Sequence, residues 1–177
     1  MRRALDLLYW ASGALAAVCL AGIALLMLAQ AGGRELGLLI RGADDIVAWL
    51  CAASAFLALG HTFRHGELVR VGLLLGFLQP RMRRGAELFA LGVTALFAGY
   101  MAWAVTRFVY ESWKYNEVAQ GMIKTPIWIP QMSLVLGVLI FLVAVLDELF
   151  RVLNKQKPSY QLAEEARQAA KDFSEMV

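Results

Sequence analysis

Charged residues leave four long gaps in this chain. None occurs from Leu7 to Gly33, from Ile46 to Phe63, from Leu88 to Thr106 or from Pro126 to Leu146. Asp44-Asp45 and Arg64 bound the second gap, Glu87 and Arg107 the third, and Asp147-Glu148 closes the fourth. A helix rises about 1.5 Å per residue and the hydrocarbon core is ~30 Å thick, so roughly 20 apolar residues cross it. Each gap is near or above that length. The pattern predicts an all-α integral membrane protein with four transmembrane helices. Arg2-Arg3, the first apolar run and Ala29-Gln30-Ala31 also have the layout of a secretory signal. A signal's apolar core is only about 7–15 residues, so the first run is expected to be a retained span.

The connections set the expected orientation, because Lys and Arg accumulate on the cytoplasmic side. Arg2 and Arg3 precede the first span, and Arg64, Arg70, Arg81, Arg83 and Arg84 lie in or beside the second connection. The first connection offsets Arg34 and Arg41 with Glu35, Asp44 and Asp45, and the third offsets Arg107, Lys114 and Lys124 with Glu111 and Glu117. Alternation then puts the N-terminus, the second connection and the C-terminus in the cytoplasm. Tyr9, Trp10, Trp49, Trp113, Tyr115 and Trp128 fall near the span borders, where amphipathic rings prefer to sit.

Three segments are not spans. Val71 to Leu78 is apolar but reaches only about 12 Å as a helix, so a short interfacial helical segment is expected between spans two and three. Arg107 to Lys124 carries aromatic and charged residues at helical spacing, which predicts that the third helix runs on until Gly121 ends it. After Pro158, Leu162, Ala166, Ala169, Phe173 and Val177 recur every three or four residues. The expected organisation is a four-span membrane domain over 1–155 and a cytoplasmic helical tail over 156–177.

Composition sharpens this picture mainly by exclusion. With 60% hydrophobic and 18% charged residues, the chain departs from soluble domains. Its +3 net charge borders the apolar blocks, so it reads as orientation and not as nucleic-acid binding. Cys19 and Cys51 are expected to be small packing residues. Ser12, Ser54 and Thr94, the polar groups inside the spans, are expected to bond the backbone of their own helices. An intramembrane charge usually marks an ion or substrate path, and no span has one at its centre. His61 and His65 share one helix face and cannot bracket a haem, which argues against a redox subunit. No catalytic, metal or substrate-binding residue, no cofactor and no enzymatic activity are expected.

Two sequence words give the chain a family likeness. The first is Gly60-His61 through Arg64 and Gly66 to Val69-Arg70-Val71, with a leucine run and Pro80-Arg81-x-Arg83-Arg84 behind it. The second is Lys124-Thr125-Pro126-Ile127-Trp128-Ile129-Pro130-Gln131 at the opening of the last span. With four spans, these resemble the small membrane subunit (DctQ-like) of tripartite ATP-independent periplasmic (TRAP) transporters. The family often has His before Val/Ile-Arg-Val and Asp after it, where this chain has Leu68 and Gly72.

The resemblance implies an accessory scaffold in the bacterial inner membrane. It would brace a large multi-span transport subunit during binding-protein-dependent, sodium-coupled uptake of an organic acid. The partners implied are that large subunit, a periplasmic substrate-binding protein and phospholipids. Arg64, Arg70, Arg81, Arg83 and Arg84 are expected to hold the cytoplasmic interface through headgroups or partner carboxylates. Glu111, Lys114, Glu117 and Lys124 are candidates for touching the binding protein. Pro126, Trp128 and Pro130 are expected to set the entry of span four, since Pro is tolerated in a helix's first turn. The alternative is a stand-alone four-helix membrane protein for signalling or complex assembly.

Overall fold

The computed structural model describes residues 2–38, 41–64 and 80–154, with side chains from 5 and, in the third segment, from 85. The described residues form four helices: α1 (Arg2–Glu35), α2 (Ala43–Arg64), α3 (Pro80–Lys114) and α4 (Trp128–Leu153). All four are long and apolar enough to cross a membrane. The expected interfacial segment over 71–78, Arg70, and the tail over 156–177 lie outside the described residues.

The helices outrun the charge-free gaps, and their ends show why. α1 and α3 both close in a Schellman motif, in which a left-handed residue lets two amides turn back onto the last carbonyls. At α1 the left-handed residue is Gly37 at φ 73; Leu38 N donates to Gly33 O (2.8 Å) and Gly37 N to Arg34 O (3.1 Å). At α3 it is Asn116 at φ 51; Glu117 N donates to Ser112 O (3.0 Å) and Asn116 N to Trp113 O (3.2 Å). The third helix therefore stops at Lys114, short of the expected Gly121, because Asn tolerates this conformation better than most residues with a side chain. α3 begins at Pro80, whose missing N–H costs nothing in a first turn. Arg81, Arg83 and Arg84 consequently stand on helix α3 and not in a connection.

Packing makes a row and not a closed bundle. α2 lies against α1 and α4, α4 lies against α2 and α3, and α1 reaches α4 only weakly. Two glycines allow the central pair to approach closely. A Cβ at Gly137 would meet the Phe56 carbonyl at 2.5 Å, and one at Gly60 would meet Ile140 at 2.7 Å. Tyr9, Phe63, Leu91, Ala144, Val145 and Val152 form the larger core cluster, and Ala16, Ala53 and Leu57 a smaller one. Cys19 packs beside the smaller cluster, but Cys51 faces outward from α2 and is not a core residue. Ser54 and Thr94 bond their own helices, to Cys51 O (2.9 Å) and Ala90 O (2.8 Å). Ser12 does not; its hydroxyl donates across to Leu57 O on α2. The position is buried at the α1–α2 contact, where a hydroxyl can link two helices.

Candidate functional site

Polar groups concentrate at the two ends of the helices. At one end α1 contributes Asp6 and Tyr9, α2 contributes His61 and Arg64, and α4 contributes Asp147, Glu148 and Arg151. Arg64 Nη2 forms an ion pair with Asp6 Oδ1, and its guanidinium lies 4.9 Å from the centre of the Tyr9 ring. Its side chain is 22% exposed, so the charge is turned inward. His61 Nδ1 lies 3.2 Å from Tyr9 O, and Gly13 makes room for the His61 ring. On α4, Arg151 Nε pairs with Asp147 Oδ2 at 3.3 Å, while Glu148 is only 3% exposed. Tyr9, Phe63, Arg64, Ala144, Asp147 and Glu148 line one small pocket. Tyr9 Oη and Arg64 Nη1 are buried there without a partner among the described residues.

Physically this is a tie between helices. Opposite charges at one level of neighbouring helices attract each other, modestly here because Asp6 is half exposed. Asp6 with Arg64 fixes the depth of α1 against α2. Asp6, Asp147 and Glu148 belong to it, although the sequence marks Asp147-Glu148 only as the end of the fourth gap and does not single out Asp6. The usable signal was antiparallel alternation, which brings residues near 6, 64 and 148 to one level.

At the other end the segment after α3 folds back as a small hairpin. Val118 bridges Pro126 in antiparallel fashion. Ala119 N donates to Thr125 O (2.9 Å), and Ile127 N to Glu117 O (3.0 Å). Asp45, in the first turn of α2, anchors the hairpin by accepting from Ile123 N at 3.1 Å. An acidic residue is favourable at that helix start in any case. Gly121 lies directly on the Asp45 carboxylate, and Gly42 beside Ile123. Asp44 accepts from Gln30 Nε2 at 3.1 Å, which draws α1 into the same end.

The residues singled out in the sequence divide between these ends. Arg64 enters the tie. The side chains of Arg81, Arg83 and Arg84, like the whole of Arg70, lie outside what is described. Glu111, Lys114, Glu117 and Lys124 are all exposed around the hairpin. Glu111 pairs with Arg107 at 3.0 Å, and Glu117 accepts from Ser112 Oγ at 2.8 Å. Pro126 holds the hairpin bridge, Trp128 is the first residue of α4, and Pro130 sits in its first turn. Gln131, just beyond, is buried, and its Oε1 has no partner among the described residues.

The DctQ component family of tripartite ATP-independent periplasmic transporters matches residues 23–155. The chain belongs to this family. Among curated proteins taken singly, none matches. The matched range runs from within α1 to just past α4, so it contains the hairpin, the Arg64 word and most of the tie. As a DctQ component the chain is part of a multi-pass transport assembly that includes a large membrane component and a binding protein.

Proposed function

We propose that the chain is the static accessory subunit of its transporter, bracing the large subunit while that subunit carries the substrate. The observation that carries this reading is the placement of charge. The described Asp, Glu, Lys and Arg residues gather towards the helix ends, where they tie helices to each other and seat the hairpin, and the described span centres hold none. A subunit that moved an ion or an acid through itself would need polar groups at mid-membrane, where they are expensive. Here the chemistry is spent on fixing helix against helix.

In this reading the Arg64 end faces the cytoplasm of a bacterial inner membrane, as the arginine-rich second connection favours. Arg64, Arg70, Arg81, Arg83 and Arg84 hold that side, through partner carboxylates and phospholipid headgroups as well as internal pairs. The hairpin end faces the periplasm, where Glu111, Lys114, Glu117 and Lys124 offer exposed charge to the binding protein. The cargo is an organic acid and sodium drives its entry, both following from the family likeness. The test is reconstitution. Liposomes holding this chain with its large subunit and binding protein should take up the acid with sodium, and liposomes holding this chain alone should not. Uptake by the chain alone would overturn the brace.

A further inference from the structure

The side of α3 turned away from α4 changes its chemistry along the helix axis. Leu91, Ala98, Ala102 and Val109 are buried on the side that packs on α4. Opposite them, steps of three and four residues place Phe89, Val93, Leu96, Tyr100, Trp103 and Arg107 in one column, and all of these are exposed. The column opens with wholly apolar side chains, continues with amphipathic aromatics and ends in a cation. No Trp or Tyr of α3 precedes Tyr100. From Phe89 to Arg107 a helix rises about 27 Å, close to the ~30 Å of the hydrocarbon core.

That order follows membrane depth. Hydrocarbon accepts the apolar residues, Trp and Tyr settle towards headgroup level, and a cation belongs among phosphates. A contact with another helix imposes no such axial order. It also favours small residues that let backbones approach, as Gly60 and Gly137 do between α2 and α4, and the column from Phe89 to Arg107 contains none. Arg107 is moreover held ready for an anion. Its guanidinium lies 5.6 Å from the centre of the Trp103 ring, one turn nearer the hydrocarbon, and its Nε is 3.0 Å from Glu111 Oε1 on the water side. The ring contact and the ion pair brace the guanidinium from both ends. Both Nη groups are left without an acceptor among the described residues, and the side chain is 62% exposed. A guanidinium presents paired N–H groups that match the oxygens of a phosphate. Lys114, further along the same side and exposed, means that Arg107 and Lys114 outnumber Glu111 there.

We infer that this side of α3 stays against lipid in the assembled transporter, and that Arg107, braced by Trp103 and Glu111, binds the phosphate of a phospholipid in the leaflet at the hairpin end. The site is separate from the arginines around Arg64 and does not depend on the accessory-subunit reading. It gives the row a lipid edge at α3.

The experiment uses the whole transporter in vesicles of phosphatidylglycerol with a minor share of diacylglycerol, which has the same chains and no phosphate. A photo-crosslinking residue at Leu96, about 16 Å along the helix from Arg107, samples the acyl chains beneath the headgroup. It should form adducts with lipid, and none with the large subunit or a second copy of this chain. Relative to the lipid supplied, those adducts should be enriched in phosphatidylglycerol over diacylglycerol. Arg107→Gln should lower that enrichment about tenfold while retaining the large subunit as the wild-type chain does. Adducts with either protein, or loss of the large subunit from Arg107→Gln, overturn the lipid edge. Equal enrichment with and without Arg107 overturns the phosphate site. So does abolition of the enrichment by inorganic phosphate, which would make Arg107 a site for the free anion only.

Discussion

Replacing Arg64 by Ala would strand two groups at once: the Asp6 carboxylate that it pairs with and the Tyr9 ring beneath it. Asp6 is half exposed, so its share is that of a surface pair, up to about 1 kcal/mol. The cation–π contact adds about 0.5–1 kcal/mol. Arg64→Ala should thus lower stability in detergent by about 1–2 kcal/mol, read as a fall in melting temperature, and Asp6→Asn by less. The two costs should not add, because each variant removes the same pair; strict additivity in the double variant would mean that the tie carries no energy. Arg64 as a border residue was legible in the sequence, as the cation that ends the second gap. Its inward turn was not, since that depends on Asp6, the single acid in a basic N-terminal stretch, standing one helix away. Ser12 was misread for a similar reason: bonding its own helix is the default for a serine in a span, and only the closeness of α2 offers it Leu57 O instead.

Helix pairs and connections respond to different changes. At Gly137 an added methyl would collide with the backbone of Phe56, and backbone cannot step aside as a flexible side chain can. Gly137→Ala should therefore destabilise the α2–α4 contact by about 1–3 kcal/mol, whereas Gly99→Ala should leave the isolated chain as stable as wild type or slightly more so. Thermal unfolding of both variants in one detergent makes the comparison. One side-chain hydrogen bond, from Ile123 N to Asp45, links the hairpin to α2. Asp45→Ala should leave Ile123 N without its acceptor and cost about 1–2 kcal/mol locally. The expected sign is faster amide exchange over 119–125, with no change in the α3–α4 core; unchanged exchange there would mean that the hairpin stands by itself. Four helices were legible because apolar runs of that length have few other solutions. Their ends were not, because α1 and α3 run past the charge-free gaps and stop where Gly37 and Asn116 turn left-handed. The hairpin escaped notice because Val118 and Pro126 pair in the course of a turn that contains no strand-like alternation.

For the molecule in its membrane, topology is the first thing to establish by experiment. With Cys19 and Cys51 replaced by Ser, a cysteine at Lys124 should react with an impermeant maleimide added outside intact spheroplasts, and one at Asn154 only after lysis. The reverse result would invert the orientation. The sequence announced a family and a set of spans, but not their arrangement, because neighbour relations among apolar helices are set by small residues such as Gly60 and Gly137 facing the right partner. That arrangement has a mechanical consequence. Four helices in a row, at about 9 Å from axis to axis, make a plate about 27 Å between its outermost axes and roughly 40 Å long with side chains. Viewed down the membrane normal, such a plate is oblong, and lipid must flow around its long edge whenever it turns. Fastened along one edge, it would act on its complex as a keel does on a hull, resisting rotation and tilt through viscous drag while adding little mass.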